Sequence, residues 1–269
     1  MPETLDIDLS GDQASGLRKL FGKRAPRVVA FASGREPAGR TTLVVQTAAA
    51  LADAGHGVVI VDENPGPDNA TAGFGLSARG DLMNVVAGAC SLGEVTVQAA
   101  PRVRIIPAAR VVREFDPSDD ARRQRLAGCL AEIQRGASFV LIDCAAQLSP
   151  LALAARHLAV VVAAHGNAIT EAYALVKLAA AARGRRGSFH VAITRTSSES
   201  EARAIFENMK RVAREHLGVR LDYLGATTNP HVDHLADALA TRLPAPVAAY
   251  AERLGQPVPH ARPQNSVMV

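Results

Sequence analysis

The sequence predicts an α/β protein with a doubly wound, mostly parallel sheet and helices on both faces. Three observations support this fold class: short apolar runs rich in Val and Ile recur along the chain, helical patterns lie between most of them, and a glycine-containing loop follows the first run. Continuous apolar runs are typical of strands that are covered on both faces. The alternation of strands and helices favours parallel strands joined by right-handed crossovers.

The apolar runs and the helix signals place the elements in order. A helix is predicted over residues 41–55, directly after the first strand and its loop. Ser198 and Glu201 have capping-box spacing at the start of a helix that ends at Gly218. The predicted strands are residues 27–33, 57–63, 103–109, 138–144, 158–164, 189–195 and 221–226.

The length of 269 residues suits one α/β domain with tails at both ends. Residues 1–26 are predicted to be an N-terminal tail that contains a short partner-docking helix. Residues 27–254 are predicted to form the single domain. Residues 255–269 contain three prolines and are predicted to be a disordered tail.

Charge and cysteine content narrow the function classes. The formal net charge is only +4, and the basic residues form small clusters such as residues 183–186, which are typical of solvated loop ends. Nucleic-acid binding is therefore disfavoured. Three cysteines without C-x-x-C spacing indicate reduced thiols and a cytoplasmic protein.

Residues 34–41, GREPAGRT, have the spacing of a phosphate-binding loop, G-x-x-x-x-G-K-[ST], with Arg40 in place of the lysine. The loop lies between a predicted strand and a predicted helix. In that context backbone N–H groups and the helix N-terminus attract a polyphosphate. The sequence therefore predicts a nucleotide site here.

Two acids follow neighbouring strands of the predicted sheet. Asp62 ends the second strand and Asp143 ends the fourth. Ligands of such sheets bind beyond the carboxyl ends of the strands. Thr41 is therefore predicted to ligate Mg²⁺ through its hydroxyl, and Asp62 and Asp143 are predicted to hold the water molecules of that ion. The alternative is that each aspartate only caps a helix or a turn.

Several motifs resemble the MinD/ParA group of deviant phosphate-loop ATPases and, within it, the FlhG/FleN regulators of flagellar number and placement. The resemblance runs from about residue 12 to about residue 250. Residues 168–177, AITEAYALVK, are similar to a T-D-A-Y-A-L-I-K core of that group. The other matching segments are VIVDENPGPDNAT, DLMNVVAG, IIPAAR and LIDCAAQLS.

The resemblance implies ATP and Mg²⁺ as cofactors and a homodimer as one assembly. It implies flagellar switch components or a transcriptional activator as partners. The implied location is the cytoplasm, and the alternative is a peripheral location at the cell pole. Residues 247–263 are broken by prolines where MinD-type proteins have a membrane helix, so membrane attachment is expected to be weak or indirect. The implied nucleotide-binding residues are Gly34, Arg35, Gly39, Arg40, Thr41, Thr42 and Arg195.

Residues 12–18, DQASGLR, resemble the D-Q-A-x-x-L-R motif with which FlhG proteins engage FlhF, a GTPase of the signal-recognition-particle type. The segment has an apolar stripe beside basic residues, as expected of a docking helix. The alternative is an amphipathic segment that folds back on its own domain. The predicted partner-binding residues are Asp12, Gln13, Ala14, Leu17, Arg18 and Phe21.

The sequence departs from the resembled family at positions that carry its chemistry. Pro37 has no N–H to donate, and Glu36 adds a negative charge beside the phosphates. Asn64 replaces the second acid of a D-x-D pair, Gln147 replaces a glycine, and Thr194 replaces an asparagine. An amide cannot accept a proton from water as a carboxylate can.

These departures predict weak or absent hydrolysis and favour a pseudo-ATPase that regulates flagellar assembly through partners. One alternative is an active switch ATPase that dimerises with ATP. A further alternative is a ParA-like partition protein. The sequence assigns no catalytic residue.

Overall fold

The computed structural model describes residues 25–35, 38–183, 188–227 and 233–243. Within these ranges the chain forms an eight-stranded sheet with strand order β3-β4-β2-β5-β1-β6-β7-β8. All neighbouring pairs are parallel except β3 and β4. The strands are β1 Arg27–Ser33, β2 Val58–Asp62, β3 Val97–Ala100, β4 Val103–Pro107, β5 Phe139–Asp143, β6 His157–Ala163, β7 Ser188–Thr194 and β8 Leu221–Thr227. The predicted fold class is confirmed.

Helices connect the strands and cover the sheet. The longest is α9, which begins after Ser198 and ends before Gly218, a residue with left-handed backbone. The helices are α1 Arg40–Asp53, α2 Ala70–Gly73, α3 Leu82–Val86, α4 Leu92–Val95, α5 Val111–Glu114, α6 Asp120–Gln134, α7 Pro150–Ala154, α8 Ala168–Arg183, α9 Glu199–Leu217 and α10 Asp233–Arg242. Among them, none is long and apolar enough to cross a bilayer.

The continuous apolar runs form strands because both faces of the sheet are covered. Along β1, Val28 and Ala30 point into one core and Val29 and Phe31 into the other, since side chains alternate along a strand. The first core lies against α6, α8 and α9. The second lies against α1 and α10. Burial on both faces explains why the strands show no polar alternation.

Strand register brings the two predicted acids together. Asp62 is the register partner of Asp143 in the β2–β5 pair, and Phe31 of β1 is its partner on the other side. The carboxyl ends of these three central strands therefore meet at one edge, where the loop after β1 begins.

Two local details differ from the sequence predictions. The edge strand β3 was not predicted, because its four residues are short and only half-buried, so they lack a continuous apolar run. At the start of α9, the Ser198 hydroxyl accepts from the Glu201 N–H as predicted, but the Glu201 carboxylate accepts from the Ser197 N–H at 2.8 Å. Residues 1–24 of the predicted N-terminal tail and the whole of the predicted tail over residues 255–269 lie outside the described residues.

Candidate nucleotide site

The loop after β1 leads directly into α1, as the phosphate-loop spacing predicts. Gly39 is the N-cap residue of α1 and has φ of 68°, a left-handed conformation that glycine adopts without strain. No side chain caps this helix end through a hydrogen bond. Its first N–H groups are therefore not satisfied by a capping side chain. Glu36 and Pro37, the two departures inside the loop, lie outside the described residues.

Arg40 and Thr41 both bind Asp143. The Arg40 Nε atom donates to Asp143 Oδ1 at 2.6 Å, and the Thr41 hydroxyl donates to Asp143 Oδ2 at 2.6 Å. Arg40 Nη1 also lies 3.3 Å from the Ser33 hydroxyl, which it reaches as a donor. The Asp143 side chain is fully buried, and that of Arg40 is 13% exposed. Both oxygens of Asp143 thus have partners from the loop itself.

Asn64 extends this network from the β2 side. Its Nδ2 donates to the Thr41 hydroxyl at 3.2 Å and to the Asp68 carbonyl at 3.2 Å. Its Oδ1 accepts from the Gly66 N–H at 3.0 Å. The amide that replaces the second acid of the family pair therefore serves to fix the loop after β2 against the start of α1.

Asp62 lies beside Asp143 but is held by backbone groups. Its two oxygens accept from the Asn64 N–H at 3.1 Å and the Thr71 N–H at 3.3 Å. Burial and the nearby charge of Asp143 raise its pKa to about 6, against the lowering effect of these N–H groups. The capping role that the sequence left open is therefore the one that these contacts support.

Glu63 is a buried carboxylate that the sequence reasoning did not single out. It is fully buried, and neither carboxylate oxygen makes a well-aligned hydrogen bond. Burial raises its pKa to about 7, although the Ser149 hydroxyl and the Ala145 backbone lie close enough to oppose the rise. Its sequence signal is weak: it is a second acid directly after Asp62, at the end of an apolar strand.

The remaining predicted nucleotide residues surround the loop without joining the network. Arg35, Thr42 and Arg195 are exposed. Arg195 has φ of 55°, and its Nη1 atom lies 3.5 Å from the Nε2 atom of His165. Thr194 is buried, and its hydroxyl donates to the Ala38 carbonyl at 2.7 Å. The threonine that replaces the family asparagine thus anchors the loop to the end of β7.

Helix α8 packs against the beginning of the loop, where its Glu171 side chain lies close to Gly34. A Cβ atom built on Gly34 would lie 2.5 Å from Cβ of Glu171 and 2.5 Å from its Oε2. We expect Gly34→Ala to lower the free energy of unfolding by about 1–3 kcal/mol, because the loop or α8 must shift to admit the methyl group. Chemical denaturation of the purified variants measures this loss.

Gly128→Ala is the matched control for this prediction. Gly128 lies inside α6, and a Cβ atom there would meet nothing within 4 Å. This substitution is expected to leave stability unchanged or to raise it by about 1 kcal/mol, since alanine favours the helix. Equal effects of the two substitutions would contradict tight packing at Gly34.

The predicted Mg²⁺ ligands do not fit the ion as they are arranged. Magnesium requires open oxygen ligands in octahedral geometry. Here the Thr41 hydroxyl donates to Asp143, both oxygens of Asp143 are hydrogen-bonded, and both oxygens of Asp62 accept backbone N–H groups. The structure therefore brings Thr41, Asp62 and Asp143 together, but with the Arg40 guanidinium paired to Asp143.

Comparison with known proteins identifies the family. The sequence profile of an AAA domain family matches residues 26–176, more than half of the chain. The antiactivator FleN of Pseudomonas aeruginosa is 30% identical over 212 residues, which cover 77% of this chain and 75% of FleN. The chain belongs to the FlhG/FleN group of the MinD/ParA family. The resemblance found in the motifs is thereby confirmed.

Solved structures show the same fold at lower identity. A chain of the MinC:MinD cell division protein complex of Aquifex aeolicus is similar with a TM-score of 0.58 and 20% identity, over 88% of this chain and 98% of that one. Cobyrinic acid a,c-diamide synthase of Mycobacterium smegmatis, with bound ADP and magnesium, has a TM-score of 0.61 and 18% identity, over 80% and 91%.

A plasmid partition protein of Borrelia burgdorferi is similar with a TM-score of 0.60 and 14% identity, over 81% of this chain and 96% of that one. These identities are too low to carry more than the fold. The MinD/ParA-like sheet of this FlhG/FleN-group protein is thus shared with proteins of several activities.

Proposed function

We propose that this protein is a regulator of flagellar number or placement that acts by protein–protein contacts and not by ATP turnover. Its similarity to the antiactivator FleN over three quarters of both chains supports the regulatory role. The single observation that favours action without turnover is the Arg40–Asp143 ion pair, which engages the acid that a nucleotide-bound Mg²⁺ would require. The site is thus a pseudo-nucleotide site in this proposal.

The hydrogen bonds around Asn64 support the same conclusion. Hydrolysis needs a group that orients the attacking water, and a carboxylate at this position can also accept the proton of that water. The Asn64 amide cannot accept that proton, and its donor and acceptor atoms already bind Thr41, Asp68 and Gly66. Efficient hydrolysis at this position would need a different arrangement of the loop after β2.

The proposed partners are an FlhF-like GTPase and either flagellar switch components or a transcriptional activator. The N-terminal motif, residues 12–21, is the proposed contact with the GTPase, and the α/β domain is the proposed contact with the others. We expect each affinity to be the same with and without ATP and Mg²⁺, because the domain is held in one state by its own side chains.

Binding of the purified partners, measured by calorimetry with and without ATP and Mg²⁺, tests this proposal. An increase in partner affinity of about tenfold or more on adding ATP and Mg²⁺, equivalent to about 1.4 kcal/mol, would favour the second candidate, an active dimerising ATPase switch. Mass measurement in solution distinguishes that candidate further, since its homodimer would form only with nucleotide.

A pair of substitutions tests the N-terminal contact. Leu17→Ser, on the apolar stripe of the motif, is expected to abolish stimulation of the GTPase. Leu9→Ser, in the same terminal segment but outside the motif, is expected to preserve it. Equal stimulation by both variants would contradict docking through residues 12–21 and leave the fold-back alternative.

Flagellar counts in a strain that lacks its own regulator test the biological role. Wild-type protein is expected to restore the normal number, and unchanged counts would contradict the proposed role.

Salt-sensitive retention on DNA would instead support the ParA-like partition alternative.

A further inference from the structure

We propose that Arg40 is a built-in cation that takes the place of a divalent metal ion at Asp143, and that removing its charge opens a latent Mn²⁺ or Mg²⁺ site on Thr41 and Asp143. This inference deepens the proposed function and rests on its pseudo-nucleotide site. The inference concerns the positive charge that stabilises the buried Asp143 carboxylate, and its test requires no nucleotide.

The geometry of the ion pair supports this role for Arg40. The Nε atom lies 2.6 Å from Asp143 Oδ1, while Nη1 reaches the Ser33 hydroxyl at 3.3 Å. Two separate groups of the guanidinium are thus fixed by β1 and β5. A guanidinium is planar, always charged and suited to carboxylates, whereas lysine is a mobile point charge. Arg40 therefore supplies a permanent and oriented positive charge.

Burial makes this charge necessary. Asp143 is fully buried, and its neighbours Asp62 and Glu63 are buried carboxylates as well. A carboxylate that is withdrawn from water is unfavourable unless a cation or several hydrogen bonds accompany it. Among the described residues, Arg40 forms the ion pair with Asp143. While Arg40 is in place, a metal ion is therefore not needed to neutralise this carboxylate.

A divalent ion would compete directly with Arg40. It would need at least one oxygen of Asp143, and it would then lie within about 5 Å of a unit positive charge, a strong repulsion even at an effective dielectric constant of about 20. The groups left after removal of that charge are a hydroxyl and carboxylates, Thr41 and Asp143 with Asp62 adjacent. Such oxygen ligands select hard cations such as Mg²⁺ and Mn²⁺.

Titration of purified protein with Mn²⁺ alone, followed by electron paramagnetic resonance, tests the proposal. Arg40→Gln removes the charge and keeps a hydrogen-bond donor near Asp143. We expect it to bind Mn²⁺ at least about tenfold more tightly than the wild type, given the size of the repulsion it removes. The double variant Arg40→Gln/Asp143→Asn is expected to lose that gain.

Arg211→Gln is the matched control, because it also removes an arginine from an ion pair, with Glu215 at 3.1 Å, but on the exposed surface of α9. It is expected to bind Mn²⁺ as the wild type does. Equal Mn²⁺ affinity of Arg40→Gln and wild type would overturn the proposal. So would a gain that survives in the double variant.

Circular dichroism establishes whether Arg40→Gln folds. If it does not, Arg40→Met replaces it, because methionine also removes the charge and is an unbranched, adaptable side chain. Tighter Mn²⁺ binding by Arg40→Met than by wild type supports the proposal, and equal binding contradicts it. Because these titrations use no partner, their outcome is distinct from that of the flagellar counts, which test the proposed function.

Discussion

Arg40→Ala is expected to lower the free energy of unfolding by about 3–5 kcal/mol, because it leaves Asp143 buried without its cation. The Asp143 side chain is fully buried, so water does not solvate the carboxylate in place of the lost cation. Urea denaturation at neutral pH, followed by circular dichroism, measures this difference.

Two further variants separate the ion pair from other causes. Arg211→Ala breaks an exposed arginine pair and is expected to cost less than about 1 kcal/mol. Arg40→Ala/Asp143→Asn removes the uncompensated charge and is expected to recover most of the loss of the single variant. Similar small losses for Arg40→Ala and Arg211→Ala would show that the buried pair does not stabilise the site.

The central sheet was predictable because its signals are strong and local. Runs such as residues 139–142 are apolar throughout, and both of their faces are covered by helices. The glycine spacing after β1 correctly placed the loop, and strand order placed Asp62 next to Asp143. Edge strand β3 was missed because a short, half-buried strand has no such pattern.

The contacts inside the site were not predictable from the sequence. Which partner a charged side chain chooses depends on distances across strands, and Arg40 and Asp143 are 103 residues apart. The same holds for Thr194, whose hydroxyl bonds to Ala38, and for the close approach of Glu171 to Gly34. The sequence showed that the family lysine is an arginine, but only the fold shows that this arginine binds the acid.

The buried network also gives the departures from the family a common physical reason. Arg40, Asn64 and Thr194 each replace a residue that the family uses toward nucleotide, and each instead bonds to this chain's own groups. Their bonds connect the loop to β5, to the segment after β2 and to β7. In the proposed pseudo-nucleotide site, these bonds supply stability that a bound ligand would otherwise add.

The contribution of His190 on β7 to stability is expected to fall as the pH drops from about 6.5 towards 4. Burial, together with the charge of Arg183, lowers the pKa of His190 from 6.5 to about 4, although Asp222 opposes the shift. The unfolded chain therefore takes up a proton in a pH range where the folded chain does not. Stability from the neutral ring is complete above about pH 6.5 and is lost below it, by about 3 kcal/mol.

His190→Gln isolates this contribution, because glutamine does not titrate and its amide can still bond to His157, whose Nδ1 lies 3.2 Å from His190 Nε2. The carboxyl groups of Asp62 and Glu63, whose pKa values are raised to about 6 and about 7, contribute with the opposite sign. The quantity to measure is therefore the difference in unfolding free energy between wild type and variant at each pH. We expect the stability of wild type relative to the variant to decrease as the pH falls from 6.5 to 4. His216→Gln, at an exposed histidine of α9, serves as the control. A difference for His190→Gln that is constant with pH would contradict a buried neutral ring.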